Sequence, residues 1–186
     1  MALKTRPTPT SAAAPHQGLR TLAYALGGSL LLALSAQVKV PMWPVPMTMQ
    51  SAAVLLLAAT GGLRVGAGAV AAYVAEAAVG LPVLAAGLPL LAGGPTLGYV
   101  AGFLLAALWV GFAADRGWTR RMAPLFATLA FGEVLIYAPG LLWLWAAYVH
   151  DVNATLAAGL VPFLAGEVAK LGLATTLVFA LGRREA

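Results

Sequence analysis

Glu76, Glu133, Glu167 and Lys170 stand inside long apolar stretches of this chain, apart from any run of charged neighbours. An ionised side chain at the centre of a bilayer costs roughly 2.5–3.5 kcal/mol even on the lenient insertion scale, so such groups mark sites of binding or transport. Glu167 and Lys170 are three residues apart and therefore share one helix face, either as an ion pair that locks packing or as two groups that hold a ligand between them. Glu76 and Glu133 read equally as packing groups or as ligand contacts. Tyr73, Tyr99, Phe103, Tyr137, Trp143 and Trp145 lie at similar depths, with Trp43 in a proline-rich loop. They read as an interfacial belt and core, or as the walls of an outward-opening cavity. Aromatic walls, two or three carboxyls and one ammonium suit a small, flat, partly apolar ligand with several hydrogen-bonding groups.

Catalytic chemistry has less support. The chain has no cysteine, which excludes disulfides, thiolate metal sites and a cysteine nucleophile. There is no phosphate-binding GxxxxGK[ST], no HExxH and no GxSxG, and the two histidines, His16 and His150, fall in the N-terminal tail and a loop. Any ATP hydrolysis has to come from a partner, and no cofactor is expected. An intramembrane enzyme using Glu133 and Glu167 as acid and base remains a competing reading, with no nucleophile or metal set beside them. The net charge of +5 does not point to nucleic acid, because the basic residues occur singly or in twos between apolar runs.

The elements that must position these groups are membrane helices. Of 186 residues, 61% are hydrophobic and 9% charged, and the mean hydropathy is +0.89. Apolar segments run over residues 21–38, 47–62, 65–83, 96–113, 122–148 and 154–181, and about 20 apolar residues span a bilayer. The sequence therefore predicts an all-α integral membrane protein of six transmembrane helices, as a single domain over residues 19–186 behind a disordered cytoplasmic tail over residues 1–18. An uncleaved signal anchor would orient the first helix in the same way. Pro139-Gly140 interrupts the fifth segment and Pro162 the sixth, which predicts kinks or an outer half-helix there.

Cytoplasmic loops hold the excess of positive charge. Lys4, Arg6, Arg20, Arg64, Arg116, Arg120, Arg121, Arg183 and Arg184 fall on one side of the six-segment pattern and make nine of the eleven basic residues. Both termini are therefore expected in the cytoplasm, with Lys39 alone outside and Lys170 within the sixth segment. At a rise of about 1.5 Å per residue from the inner arginines, Glu76 and Glu133 lie ~18 Å up, Lys170 ~20 Å and Glu167 ~24 Å, at middle to outer depth in a ~30 Å core. Ala25, Ser29 and Ala33 recur every four residues on the first helix, a smooth stripe for close approach of another helix, inside the bundle or from a partner.

Five motifs in order resemble the BioY family: Pro44-Val45-Pro46-Met47-Thr48-Met49-Gln50; Tyr73-Val74-Ala75-Glu76-Ala77-Ala78-Val79-Gly80-Leu81-Pro82-Val83; Gly94-Pro95-Thr96-Leu97-Gly98-Tyr99; Gly132-Glu133-Val134-Leu135-Ile136-Tyr137 with Gly140 and Trp143-Leu144; and Pro162-Phe163-Leu164-Ala165-Gly166-Glu167-Val168-Ala169-Lys170. Each is weak alone; the ordered set, covering residues 22–181, is specific. The resemblance implies the six-helix fold of the biotin-specific S component of an energy-coupling factor (ECF) transporter, in the bacterial cytoplasmic membrane. It also implies biotin as ligand, with a transmembrane coupling (T) component and ATP-binding subunits as partners.

In that family the acidic residue and lysine of the last motif contact biotin, which carries over to Glu167 and Lys170, with Glu standing where Asp is more usual. Gln50, Glu76, Tyr99, Glu133 and Tyr137 complete the expected ligand-binding set. A basic residue that the family often has before its GPT motif is missing from residues 85–93, and Lys39 is the candidate to replace it at the ligand carboxylate. Small-residue spacing on the first helix faces the coupling subunit in ECF transporters, which assigns Ala25, Ser29 and Ala33 to that interface. An S component for another vitamin, such as thiamine or riboflavin, is the nearest alternative.

Overall fold

The structure, a computed structural model, describes residues 15–85 and 93–182. Most of the expected tail, including Lys4 and Arg6, lies outside the described residues, as do Arg183, Arg184 and residues 86–92. The first helix, α1 (Pro15–Gln37), begins inside what the sequence assigned to the tail. Proline is well tolerated at such a start, where its missing N–H has no helical partner to lose.

Two strands follow, β1 (Lys39–Val40) and β2 (Met47–Thr48), paired antiparallel with Lys39 opposite Thr48. This ribbon is a local addition to an otherwise all-helical fold. It is only two residues long on each side, and the prolines at 41, 44 and 46 between the strands read as a loop in sequence. The Trp43–Pro44 peptide bond is cis.

Helix α2 (Gln50–Ala78) is interrupted at Gly62, where φ is 71° and ψ is −173°, a region open essentially to glycine alone. Its two arms fold back on each other. The Gln50 amide reaches the Tyr73 hydroxyl at 2.7 Å, whereas residues 23 positions apart in an unbroken helix would be about 35 Å apart. Gly66 packs on Ala58 so closely that a Cβ would lie 2.7 Å from the Ala58 Cα. The segments 47–62 and 65–83 of the sequence are thus arms of one bent helix, and Gly61-Gly62 is its turn.

Helix α3 (Leu97–Asp115) leads through a 3-10 turn at Trp118–Arg120 into α4 (Met122–Leu144), which contains Pro139 and ends in a π turn at Trp145–Val149. The last apolar segment is divided, as Pro162 foretold. Helix α5 (Val152–Gly159) is capped by Asp151, whose Oδ1 accepts from the Ala154 amide at 2.7 Å. A 3-10 turn at Val161–Phe163 then leads to α6 (Leu164–Gly182).

Among the described residues, five helical stretches are long and apolar enough to cross a membrane: Gly18–Gln37, Gln50–Ala78, Leu97–Asp115, Met122–Val149 and Val152–Gly182. Helix α1 packs on α2, α2 on α3, and α3 on α4, while α6 closes against α2 and α4. Leu32, Leu55, Val70, Tyr73, Val110, Leu129 and Ile136 form the buried core. Leu22, Leu30, Phe131, Leu142 and Val168 face outward as lipid would require. The connection from α2 to α3 is gripped at both ends: Tyr73 and Lys39 donate to the carbonyls of Val83 and Ala85, Tyr148 and Trp143 to those of Gly93 and Gly94.

Candidate functional site

Where the ribbon, the start of α2, and the facing ends of α3, α4 and α6 meet, they form a half-open cavity. Its lining is mostly apolar, with Val45, Val100, Phe103, Ile136 and Phe163 among the walls, and its polar members include Thr48, Gln50, Ser51, Tyr99, Tyr137 and Glu167.

Glu167 enters the cavity from the first turn of α6, where the helix dipole favours an acidic side chain. Its Oε1 accepts from the Lys170 ammonium at 2.6 Å and from the Tyr137 hydroxyl at 3.0 Å, and its Oε2 accepts from the Ser51 hydroxyl at 2.8 Å. Lys170 also donates to the Thr48 carbonyl at 2.6 Å and to the Ser51 hydroxyl at 3.2 Å. All three ammonium protons are thus engaged, and Lys170 stands behind Glu167 rather than on the cavity wall.

The aromatic wall is built edge to face. Tyr99 and Tyr137 meet with ring centroids 5.5 Å apart at 89°, and Tyr137 meets Phe163 at 6.2 Å and 67°. Tyr99 is fixed at its far end, where its hydroxyl donates to the Gly159 carbonyl at 2.9 Å. Its ring lies on Gly140, where a Cβ would come within 2.4 Å of it. Gln50 lines the cavity with its amide nitrogen turned to Tyr73, away from the opening.

Four of the expected ligand contacts, Gln50, Tyr99, Tyr137 and Glu167, are brought together on the cavity; four are not. Lys170 lies behind Glu167, as above. Glu133 is 9% exposed and lies within electrostatic reach of Glu167 and Lys170, one helical turn from Tyr137, but does not line the cavity. Neither of its carboxyl oxygens has a hydrogen-bond partner among the described residues. Glu76 accepts a 2.5 Å hydrogen bond from Ser29 and ties α2 to α1, away from the cavity. Lys39 reaches the carbonyl of Ala85, a lining residue, and so stands at the rim.

The small-residue stripe faces inward. Ser29 is 1% exposed, Ala25 is buried with its Cβ against Gly68, and Ala33 is partly buried against the core. In this structure α2 occupies the stripe, so a coupling subunit could reach it only if α1 moved away from α2.

Sequence reasoning did not single out Ser51, Thr48 or Phe163 as site residues. Ser51 had a signal: it directly follows the Gln50 motif and is a hydroxyl at the head of an apolar run. Together the site offers an anchored carboxylate, an amide and flat aromatic faces, and among the described residues no His/Cys/Asp/Glu group able to hold a metal. It is an arrangement for binding a ligand that has N–H donors and an apolar ring.

Comparison with known proteins agrees with this fold. Relatives include a biotin transporter BioY of Thermotoga maritima, 37% identical over 83% of this chain and 91% of that one. Another is a biotin transporter BioY of Rhodobacter capsulatus, 35% identical over 78% and 84% of the two chains. A crystal structure of the S component for biotin from an ECF-type ABC transporter has the same fold, with a TM-score of 0.80 at 23% identity over 92% of this chain and 95% of that one. Residues 6–186 match the BioY family, and the chain belongs to that family.

Proposed function

We propose that this chain captures biotin at the outer face of a bacterial cytoplasmic membrane and serves as the S component of an ECF transporter, a transport protein and not an enzyme. A transmembrane T component and ATP-binding subunits supply the coupling and the ATP hydrolysis. The observation that carries this reading is the Glu167 carboxylate, held by Lys170, Tyr137 and Ser51 at the wall of a mostly apolar, aromatic-lined cavity. Relatives named as biotin transporters supply the identity of the ligand.

Biotin carries a flat cyclic urea with two N–H donors, a sulfur-containing ring and an apolar chain ending in a carboxylate. Glu167 accepts from the urea, Tyr99, Tyr137 and Phe163 flank the rings, and Lys39 at the rim meets the carboxylate. In this reading the two arms of α2 count separately, giving six helical segments with both termini in the cytoplasm, as the distribution of Arg64, Arg116, Arg120 and Arg121 supports.

Titration of detergent-purified protein, followed by tryptophan fluorescence, tests the reading. Saturation by biotin in the nanomolar range, with no response to thiamine or riboflavin, is the expected result. A response to one of those vitamins instead would reassign the ligand, and chemical turnover of any ligand would favour an enzyme.

A further inference from the structure

We infer that Tyr73, which does not line the cavity, is a positioning residue for specificity: it locks the Gln50 amide with its carbonyl oxygen toward the ligand, where that oxygen accepts a hydrogen bond from a ligand N–H. The inference rests on the biotin reading and extends it to a residue outside the cavity wall.

The argument is a count of protons. A tyrosine hydroxyl has one proton to donate. The Tyr73 hydroxyl lies 3.2 Å from the Val83 carbonyl oxygen, which can only accept, and 2.7 Å from the Gln50 side-chain nitrogen. The proton therefore goes to Val83, and the lone pair of the hydroxyl is left for a donor. Only the NH₂ side of the Gln50 amide is a donor. Were the amide reversed, Tyr73 would have to turn its proton to the glutamine oxygen and leave Val83 without a partner. Tyr73 is 0% exposed, so among the described residues its hydroxyl is satisfied by these two neighbours, and the observed arrangement uses both.

The other end of the amide is thereby fixed. Among the described residues the Gln50 Oε1 contacts the Thr48 hydroxyl alone, at 3.4 Å, the long limit of a hydrogen bond. A good acceptor position is thus open on a residue that lines the cavity. Gln50 is followed by Ser51, whose hydroxyl binds Glu167, and both Gln50 and Glu167, two residues with acceptor oxygens, line the cavity. A cyclic urea presents two N–H donors on one flat ring, which suits that pair. A ligand offering an acceptor in that place would meet like with like.

The test compares biotin with its two mono-N-methylated urea analogues on wild type, Tyr73→Phe, Gln50→Met and the double variant, by fluorescence titration. Tyr73→Phe is expected to weaken biotin about tenfold, because the amide is then free to present its NH₂ instead. It should leave affinity nearly unchanged for the analogue whose methyl replaces the proton facing Gln50. In the Gln50→Met background the Tyr73 substitution should add nothing, since residues that act through one another are not additive. Losses that add, or an equal loss for biotin and both analogues, would make Tyr73 a packing residue and overturn the inference. If Tyr73→Phe does not fold, Gln50→Met with unchanged biotin affinity overturns it as well. A wild-type protein that binds no biotin overturns the biotin reading itself, a result distinct from biotin binding that ignores Tyr73.

Discussion

Lys170 lies 2.6 Å from Glu167 on the same face of α6, yet its other two donors cross to the Thr48 carbonyl and the Ser51 hydroxyl. The pair is therefore more than a brace within one helix. It pins α6 to the junction of β2 and α2, and it aims a carboxylate at the cavity from a fixed position. Charge-assisted hydrogen bonds of this kind are about twice as strong as neutral ones, and a carboxylate with three donors has little freedom left. Lys170 thus fixes the position from which Glu167 faces the cavity.

Lys170→Met is expected to weaken biotin binding more than tenfold. Removing the ammonium leaves a buried carboxylate with Tyr137 and Ser51 alone, and breaking a buried pair in this way costs about 3–5 kcal/mol. Part of that loss falls on stability, so thermal unfolding in detergent accompanies the fluorescence titration. A well-folded variant with unchanged affinity would remove Lys170 from the site.

Ser51→Ala is expected to reduce affinity about tenfold and to lower the unfolding temperature. The serine donates to Glu167 Oε2 and accepts from Lys170, and a hydrogen bond to a charged group contributes about 1.5–3 kcal/mol. Ser51→Thr keeps the hydroxyl and should retain most of the binding. Equal affinity for the alanine variant and wild type would show that Lys170 and Tyr137 suffice to hold Glu167.

Ser51 also shows where the sequence stopped being legible. Glu167 and Lys170 stood out because a charge in an apolar helix is conspicuous, and their spacing of three fixed their shared face. A serine in an apolar run is unremarkable until another helix brings a carboxylate to it from 116 positions away. Glu76 and Glu133 are a similar case: their depth is readable from the sequence, but the direction each side chain faces is set by packing between helices, and neither lines the cavity. The break at Pro162 was readable because proline acts locally. The Gly61-Gly62 turn marked a boundary, but that the arms fold back depends on Gly66 meeting Ala58, a contact no local rule contains.

Gly62→Ala is expected to destabilise the protein by about 2–4 kcal/mol, read as a lower unfolding temperature in detergent. A Cβ there would sit 2.2 Å from the Asp115 Oδ1, on a backbone with φ of 71°. Asp115→Ala, which loses the contact from Oδ2 to the Leu63 amide at 3.3 Å, should cost only about 0.5–2 kcal/mol. If the two variants were equally stable, the strained backbone at Gly62 would not be what holds the turn.

A periplasm-dependent reporter enzyme fused after Ala186 is expected to be inactive, and a cytoplasm-dependent one active. Arg64, Arg116, Arg120 and Arg121 fall at one end of the helices, the end that ordinarily stays inside. An active periplasmic reporter would overturn this topology.

Ala25→Trp is expected to lower the stability of the isolated protein and to weaken its biotin binding. Ala25 lies against Gly68, where a Cβ on the glycine would be 3.2 Å from the alanine methyl, and Ser29, one turn on, is bonded to Glu76 at 2.5 Å. An indole has no room there, and small residues are what permit such close helix approach in a membrane. Pushing α1 from the second arm of α2 disturbs the hairpin whose first arm carries Gln50 and Ser51, so the effect should reach the cavity. Ala33→Trp, at a partly buried position, should be tolerated better. The opposite pattern has its own meaning. If Ala25→Trp left biotin binding and unfolding temperature near wild type while ATP-driven uptake and co-purification with the coupling subunits were lost, then α1 must part from α2 in the assembled transporter and offer the stripe to a partner. Measuring binding and assembly on the same variant separates a stripe that holds the bundle together from one that is uncovered in use.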